Sequence, residues 1–299
     1  MSNAGENEAQ ADVWTIRRVL TWAADDLRKR GNSSPRLDVE LLLCRVLGVD
    51  RIGLLIDAER PLARAELTRY RELHQRRRAG EPVAYLLGVR EFYGRPFRVD
   101  RRVLIPRPDT ETLVEVALER TRRLSLSARV LDLCTGSGCV AITLGRERPT
   151  TRVLGADLSD DALVVAQENA IRLGAVNCGF VVSDVLAAFV TSGAGRARFD
   201  LITANPPYLT EAEIPGLAVD IRAYEPNLAL TGGADGLVVL RRIVADAPAF
   251  LDEGGVLAVE IGSGQGEAAR GLFAAAGYRD VETRRDYGGH ERVVSGLRP

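Results

Sequence analysis

The first eighty residues carry apolar side chains at the spacing of α-helices. Residues 13–31 repeat apolar positions every three or four residues, which predicts an amphipathic helix. A second helix is expected to begin at Ser34-Pro35, since Ser before Pro is typical of a helix start. A third is expected over about residues 63–78. The pattern therefore predicts an all-α bundle over residues 13–81.

The periodicity changes after this bundle. Residues 82–105 mix aromatic residues, Val and Gly in short alternating pieces, which is typical of a β-hairpin. We expect this segment to link two domains, the second of which covers residues 106–299 and opens with a helix after a Pro-rich turn. Residues 1–12 are polar and acidic, and we expect them to form a disordered tail.

From residue 128 onward, short apolar runs alternate with helical segments. Strands are expected at residues 128–134, 152–158, 179–185, 199–205 and 254–262, and helices at 139–147, 160–173 and 235–251. Strands that alternate with helices predict an α/β fold with a doubly wound, mostly parallel sheet. Two further strands flank Gly288-Gly289 and are expected to add an antiparallel hairpin at the C-terminal edge.

The composition narrows the classes of function. The chain has 299 residues and a net charge of −1, which disfavours general affinity for nucleic acid. No apolar run approaches the length of about 18 residues that a membrane helix needs. The four cysteines form no Cys-x-x-Cys pair and the chain has only two histidines. A zinc site is therefore not expected, and a reducing cytoplasm is the simplest location.

A glycine-rich turn follows the first predicted strand, in the sequence LDLCTGSGCVAI at residues 131–142. Gly136 and Gly138 allow a tight turn from strand to helix and a close approach of backbone to a ligand. Asp157 ends the next strand, where a carboxylate can accept hydrogen bonds from both ribose hydroxyls. Asp184 ends the third, where an adenine amino group would lie. The sequence therefore predicts a nucleoside cofactor at this edge of the sheet.

The spacing of the glycines distinguishes between cofactors. Position 141 is Ala, so the Gly-x-Gly-x-x-Gly spacing of dinucleotide-binding proteins is absent. Asp132 followed by a Gly-x-Gly loop instead resembles the S-adenosylmethionine pocket of class I, Rossmann-like methyltransferases. In that family the acid before the loop, with the loop backbone, holds the methionine end of the cofactor. A role of Asp132 in capping the turn is the alternative.

The sequence Asn-Pro-Pro-Tyr at residues 205–208 ends the fourth predicted strand. The side-chain oxygen of Asn205 and the carbonyl of Pro206 are two acceptors at fixed angles, and neither Pro206 nor Pro207 has an N–H. A planar –NH2 group that donates to both acceptors is held with its nitrogen pointing at the methyl group of the cofactor. The ring of Tyr208 gives a flat substrate a surface to pack against. The motif therefore suits methyl transfer to an amide or an exocyclic amine, without a metal. A Pro-Pro turn that merely ends a strand is the alternative, which the preceding Gly loop and acids disfavour.

Together these segments resemble the HemK-type protein-glutamine N5-methyltransferases, which act on peptide chain release factors. The resemblance runs from about residue 13 and includes LDLCTGSGCVAI, NPPY, GEPVAYLLGVREFYG (80–94), VLIPRPDTETLVE (103–115) and YEPNLALTGGADGL (224–237). It implies a helical N-terminal domain that docks the substrate and a hairpin leading to a class I methyltransferase domain. S-adenosyl-L-methionine is the implied cofactor, and the glutamine of a Gly-Gly-Gln loop in the release factor is the implied substrate.

The resemblance also implies roles for single residues. The residues that would line the cofactor are Cys134, Thr135, Gly136, Ser137 and Gly138. Asp157 would hold the ribose, Asn205 would lie between cofactor and substrate, and residues 205–208 would grip the glutamine amide. Val185 stands where family members often have an aromatic residue, so an apolar wall beside adenine is implied rather than stacking.

Four more positions complete this interpretation. Cys134 replaces a commoner Gly, and Cys134 and Cys139 are interpreted as small packing residues rather than ligands or nucleophiles. Glu225 is expected to shape the rim of the substrate site. For Arg107 two roles stay open, binding of the carboxylate end of the cofactor and bracing of its own loop.

Two other functions compete with this one. Enzymes that methylate adenine N6 or cytosine N4 in nucleic acids use the same motif on a flipped base. They usually add a target-recognition domain and a basic channel, neither of which is evident after residue 206, and the net charge of −1 disfavours them. A cofactor-binding module without activity is the third possibility, and the intact Asn205 and carboxylates argue against it. We expect release factors as partners, no membrane association and no requirement for nucleic acid.

Overall fold

The computed structural model describes residues 13–122, 127–190 and 197–299, and the chain divides between Leu87 and Gly88 into two compact units. The tail predicted at residues 1–12 lies outside the described residues. Across the described part of the chain, no helix combines the length and the apolar character needed to cross a membrane.

The first unit consists of helices packed around their own core. They are α1 (Ile16–Lys29), α2 (Pro35–Leu47), α3 (Arg51–Ile56), α4 (Arg64–Arg78) and α5 (Val83–Leu87). The hydroxyl of Thr15 caps α1 by accepting the N–H of Arg18, and α2 starts at Pro35, as the sequence predicts. Buried side chains such as Val19 and Leu43 form the centre of this unit.

The second unit contains a small hairpin and a large sheet. The strands are β1 (Val89–Phe92), β2 (Arg95–Arg98), β3 (Arg129–Leu133), β4 (Arg152–Asp157), β5 (Cys178–Val182), β6 (Phe199–Ala204), β7 (Leu251–Glu260), β8 (Arg279–Arg285) and β9 (Glu291–Leu297). The α-helices are α6 (Glu111–Arg120), α7 (Cys139–Glu147), α8 (Asp160–Arg172), α9 (Val219–Tyr224), α10 (Val238–Asp246) and α11 (Gly266–Ala275).

The large sheet has the strand order β5-β4-β3-β6-β7-β9-β8. Strands β3 to β7 pair in parallel, while β9 is antiparallel to both β7 and β8. This confirms the doubly wound sheet with an antiparallel C-terminal edge. The chain leaves β3 toward β4 and β5 and then returns to place β6 on the other side of β3. The carboxyl ends of β3 and β6 therefore flank the switch point, where such sheets bind ligands.

Alternate residues of the central strands are buried on opposite faces of the sheet. Leu131 and Ile202 pack in one core with Phe273 of α11, whereas Val130 and Leu201 pack in the other, with side chains of α6 and α7. Burial on both faces explains why these strands read as continuous apolar runs. The same alternation fixes the face on which the polar residues at the strand ends lie.

The segment predicted as a linker at residues 82–105 contains parts of both units. Residues 83–87 form α5, and the buried Leu86 lies in the core of the helical unit. In the hairpin, Phe92 and Phe97 are 1% and 0% exposed and pack with α6 and α7. The second compact unit therefore includes the hairpin.

Two elements end earlier in the structure than the sequence predicts, each for a local reason. The helix expected at residues 235–251 is shorter, because Pro248 ends α10 in a single 3₁₀ turn at Ala247–Ala249. The third parallel strand ends at Val182, so Asp184 lies two residues beyond it rather than at its end.

Candidate active site

The loop between β3 and α7 reverses the chain within five residues. Cys134, Gly136 and Gly138 have φ values of 55°, 53° and 79°, which is the left-handed region that favours glycine. A Cβ atom on Gly138 would lie 2.9 Å from Cδ1 of Ile142 and 3.1 Å from Cβ of Ala166. Gly138 therefore allows α7 to pack closely against α8.

Asp157, the last residue of β4, faces this loop. One of its carboxylate oxygens accepts the N–H of Gly136 at 2.8 Å, and the other accepts the N–H of Ser159 at 3.0 Å. Burial raises the pKa of Asp157, and these backbone hydrogen bonds oppose the rise. Each oxygen has lone pairs left for a further donor. The carboxylate is thus held in position to accept from a pair of hydroxyl groups.

A cavity of about 210 Å³ opens in front of Asp157. Of the residues predicted from sequence, it is lined by Cys134, Gly136, Asp157, Asp184, Val185 and Pro207. A smaller cavity shares Cys134 and Gly136 with it, and Asp132, Thr135, Ser137 and Asn205 line this second space. Gly138, Pro206 and Tyr208 line neither cavity.

Asp184 and Val185 form the far wall of the larger cavity. The side chain of Asp184 is 51% exposed and makes an ion pair with Arg242 at 2.9 Å, and this neighbour lowers its pKa. Val185 is buried and has a φ of 53°, which turns the chain away from the sheet. The wall is therefore apolar at Val185 and charged at its outer rim.

Asp132 is buried beneath the smaller cavity. Its carboxylate accepts the hydroxyl of Thr135 at 2.6 Å and the hydroxyl of Thr203 at 2.8 Å. Burial raises the pKa of Asp132 to about 6, and the two hydroxyls oppose the rise. Asp132 thus links the glycine loop to β6, which matches the structural role considered as an alternative. The same residue also lines the smaller cavity.

Asn205 directly follows β6 at the switch point. Its Nδ2 atom donates a hydrogen bond to the hydroxyl of Thr110 at 3.2 Å, and both side chains border the smaller cavity. Pro206 is buried, whereas Tyr208 is partly buried. The carboxamide therefore lies within the same space as the glycine loop.

A second loop supports the Asn-Pro-Pro-Tyr segment from behind. Leu209 donates its N–H to the carbonyl of Leu230 at 3.1 Å and accepts the N–H of Gly232 at 2.8 Å. A Cβ atom on Gly236 would lie 2.3 Å from the carbonyl oxygen of Tyr208, so only glycine fits there. Sequence reasoning assigned no role to these glycines, although they lie in the distinctive segment 224–237.

Gln265 adds a side-chain contact to this support. Its Nε2 atom donates to the carbonyl of Tyr208 at 3.0 Å and to the carbonyl of Gly236 at 3.3 Å, so it ties the two loops together. Sequence reasoning did not identify Gln265, and a lone Gln after a strand carries no signal that would have done so.

Arg107 and Glu225 form a buried link beside the smaller cavity. The guanidinium of Arg107 lies 2.6 Å from one oxygen of Glu225, and the other oxygen accepts the N–H of Ile105 at 3.2 Å. Burial raises the pKa of Glu225, and Arg107 opposes the rise. Of the two roles considered for Arg107, this contact matches bracing of its own loop.

Burial raises the pKa of both loop cysteines, and that of Cys139 reaches about 12. Their thiols are therefore protonated at neutral pH and are poor nucleophiles. Within the described ranges, no group of three or more His, Cys, Asp or Glu side chains is placed to hold a metal ion.

Sequence reasoning missed one acid at the site. Glu260, the last residue of β7, is 1% exposed and lies beside Thr110 and Asn205. Burial raises its pKa to about 7. The signal was an acidic residue inside the apolar run VLAVEIG, which is a costly position for a charge.

Comparison with known proteins gives a consistent result. The profile of the PrmC N-terminal domain matches residues 18–88, and that of the methyltransferase small domain matches residues 109–221. The release factor glutamine methyltransferase of Geobacter sulfurreducens is 44% identical over 95% of this chain and 97% of its own. The enzyme of the same name from Vibrio cholerae is 41% identical over 94% of this chain and 96% of its own.

The structural comparison adds the fold. The hMettl16 catalytic domain, solved in complex with MAT2A 3'UTR hairpin 6, superposes with a TM-score of 0.56. It is 14% identical, and the match covers 75% of this chain and 81% of that one. This likeness shows the methyltransferase fold alone, whereas the sequence identity extends through both units. The chain belongs to the release factor glutamine methyltransferase family.

Proposed function

We propose that this protein transfers a methyl group from S-adenosyl-L-methionine to the side-chain amide nitrogen, N5, of the glutamine in the Gly-Gly-Gln motif of peptide chain release factors. The observation that carries the proposal is the carboxamide of Asn205, which borders the same cavity as the glycine loop at the switch point of the sheet. Identity of 44% over nearly the whole chain to a release factor glutamine methyltransferase supports the substrate class.

The cofactor would occupy the two cavities, which share Cys134 and Gly136 in their walls. The carboxylate of Asp157 lines the larger cavity and would accept the ribose hydroxyls, and Asp184 and Val185 would flank the adenine. In the smaller cavity, Asp132 and the backbone of the loop at residues 134–138 would hold the methionine end. When bound, the cofactor supplies an electrophilic methyl group on a sulfonium.

Residues 205–208 would orient the amide nitrogen that receives the methyl group. An amide nitrogen is a poor nucleophile because its lone pair is shared with the carbonyl group. The Asn205 side-chain oxygen and the Pro206 carbonyl would each accept one N–H, which aims the nitrogen and favours its pyramidal form. Pro207 stiffens the segment, and the ring of Tyr208 would pack against the flat amide. The nitrogen would form a bond to the methyl carbon as the carbon–sulfur bond breaks and its electron pair stays on the sulfur, and the proton that the nitrogen loses would pass to water.

The helical unit would dock the release factor. A groove of about 180 Å³ on this unit is lined by aromatic and charged residues, including Trp14, Trp22, Tyr70 and Arg71. Trp22 is 48% exposed, and exposed aromatic side chains are typical of protein interfaces. A fragment of residues 88–299 should therefore bind the cofactor normally but methylate a whole release factor much more slowly. Equal rates for fragment and full chain would contradict the docking role.

The proposal also covers partners and compartment. It requires no nucleic acid, in line with the net charge of −1, and it places the reaction in a reducing cytoplasm. The four cysteines are all free thiols, as expected for such a compartment.

Mass spectrometry tests the reaction directly. The full chain is incubated with S-adenosylmethionine and a purified release factor, and the peptides are analysed. We expect one added methyl group on the Gly-Gly-Gln glutamine. The matched control is a release factor with Glu at that position, which has no amide nitrogen to methylate. A methyl group found on a nucleobase in added DNA or RNA, with none on the release factor, would overturn the proposal.

A further inference from the structure

Glu260 lies on the same rung of the sheet as Asn205. Strands β6 and β7 pair in parallel with Ala204 opposite Val259. Asn205 follows Ala204 and Glu260 follows Val259, so these two residues are neighbours across the two strands of the sheet. Alternate residues of β7 before it, Val256 and Ala258, lie in the core formed with α6 and α7, which places Glu260 on that face. The register therefore brings the carboxyl group beside the carboxamide.

One oxygen of the Glu260 carboxyl group lacks the hydrogen-bond partner that buried acids usually have. The residue is 1% exposed, and among the described residues its Oε2 atom has no hydrogen-bond partner. Arg292 acts on it through charge but is paired with Asp286 at 2.9 Å and Asp109 at 3.4 Å. An incompletely paired buried carboxylate costs stability, so its presence at the site calls for a functional explanation.

Thr110 connects this acid to Asn205. The hydroxyl of Thr110 accepts a hydrogen bond from Nδ2 of Asn205 at 3.2 Å. The hydroxyl has one hydrogen to donate and two lone pairs to accept with. Hydrogen bonding from Thr110, and to a smaller extent from Asn205 itself, acts on the carboxyl group of Glu260, where each lowers the pKa. The hydroxyl thus lies between an amide donor and a carboxyl acceptor.

We infer that Glu260, acting on Asn205 directly and through Thr110, fixes which end of the Asn205 carboxamide faces the substrate. An ionised carboxylate only accepts hydrogen bonds, so it orients the hydrogen of the Thr110 hydroxyl toward itself. The lone pairs of that hydroxyl then face Asn205 and select its –NH2 end. The Asn205 oxygen is left to accept the N–H of the glutamine amide. Glu260 is therefore a positioning residue, and this inference rests on the proposed function.

The orientation depends on the charge of Glu260. Its surroundings include Arg292 of β9, Asp109 before α6, Tyr208 after β6 and Cys139 of α7. Burial raises the pKa to about 7, against hydrogen bonding from Thr110 and the charge of Arg292. A protonated Glu260 can donate to the Thr110 hydroxyl, which can then donate to Asn205 and favour the reversed carboxamide. We therefore expect kcat to rise as the pH increases through about 7.

The first test replaces Glu260 by its neutral isostere. In Glu260→Gln the side chain can donate to Thr110, so we expect kcat to fall about 10- to 100-fold, as for a displaced reacting group. The dissociation constant for S-adenosylmethionine, measured by calorimetry, should stay within about twofold. The rise of kcat near pH 7 should disappear. An unchanged kcat together with the wild-type pH profile would overturn the inference.

A second test uses Thr110, so that it does not depend on the folding of Glu260→Gln. Thr110→Ser keeps the hydroxyl and should keep most activity, whereas Thr110→Val should lose kcat with little change in cofactor affinity. Thr112→Val is the matched control, because Thr112 is also 2% exposed and its hydroxyl has no hydrogen-bond partner among the described residues. Equal kcat values for Thr110→Val and Thr112→Val would overturn the inference. If the wild type itself fails to methylate release factors, the proposed function fails instead.

Discussion

The carboxyl edge of the sheet has two halves whose polar groups are satisfied to different degrees. In the cofactor half, at the ends of β3 and β4, Asp132 and Asp157 each accept two hydrogen bonds from neighbouring groups. In the transfer half, at the ends of β6 and β7, the side chain of Asn205 hydrogen-bonds to Thr110 and to Glu260. The Oε2 atom of Glu260 there has no partner among the described residues.

This difference indicates which contacts hold the residues of each half in place. The cofactor half is organised by its own loop, so its carboxylates need little rearrangement when a ligand binds. The transfer half is held by backbone contacts behind it, such as those of Leu209 with Leu230 and Gly232. Its free acceptor positions suit the N–H groups of an incoming amide. Substitutions in the two halves should therefore separate binding of the cofactor from transfer of the methyl group.

The largest effect is expected from Asn205→Ala in the transfer half. Loss of one oriented acceptor should lower kcat by roughly 10²–10³, as for removal of one polar contact to a transition state. Cofactor affinity should change little, because Asp157 and the glycine loop are untouched. Steady-state methylation and calorimetry measure the two quantities. Wild-type activity in this variant would remove Asn205 from the mechanism.

The next effect concerns two acids of the cofactor half. Asp157→Ala should weaken binding of S-adenosylmethionine by about 1.5–3 kcal/mol, the range for hydrogen bonds to a charged group. Asp184→Ala should weaken it less, since Asp184 is 51% exposed and already paired with Arg242. Calorimetry on both variants measures the difference. Equal losses of binding free energy in the two variants would contradict this prediction.

A pair of glycine substitutions sharpens the contrast between the halves. In Gly236→Ala the new Cβ would lie 2.3 Å from the Tyr208 carbonyl oxygen, whereas in Gly136→Ala no protein atom lies within 4 Å. We expect Gly236→Ala to shift the segment 205–208, to cost about 1–3 kcal/mol of stability and to lower kcat about tenfold. Gly136→Ala should cost about 1–2 kcal/mol of stability through its φ of 53°, and its methyl group at the wall of the cofactor cavity should also weaken cofactor binding while leaving the segment 205–208 in place.

The control for this pair is the ratio of the loss of cofactor affinity to the loss of kcat in each variant. Denaturant unfolding gives the stability, and calorimetry and methylation rates give the two functional effects. A loss of cofactor affinity in Gly236→Ala that exceeds its loss of kcat would contradict the separation.

The smallest effect is expected from Cys134→Gly. Cys134 has a φ of 55°, which is unfavourable for a residue with a Cβ atom. Glycine would relieve that strain but would add backbone entropy to the unfolded chain. The free energy of unfolding should therefore change by less than about 1 kcal/mol, as measured by denaturant titration. A loss above about 2 kcal/mol would mean that the cysteine side chain itself stabilises the loop.

The sequence was most informative where local chemistry ends a strand. The strands that end at Leu133, Asp157 and Ala204 are followed within three residues by Gly, Ser or Pro, which favour turns over strands. The ends of these strands could therefore be predicted to within one residue. Asp184 was less well predicted, because the turn at Val185 depends on how that side chain is buried.

The sequence was least informative where distant segments meet. Glu260 lies beside Asn205 only because β7 pairs with β6 in one particular register, which neither strand encodes alone. Gly236 must be glycine because the Tyr208 carbonyl packs against it, a contact between segments 28 residues apart in the chain. Short helices such as α3 and α9 also escaped prediction, since about six residues give too little periodicity to recognise.

The position of β9 has a consequence for the order of folding. This strand comes last in sequence order, yet it lies between β7 and β8 rather than at the edge of the sheet. During synthesis, β7 and β8 must wait for Glu291–Leu297 before they can reach their final pairing. The core of the helical unit is formed by residues of that unit, so it has no such delay. We therefore expect a nascent chain to present a folded helical unit well before the catalytic sheet closes.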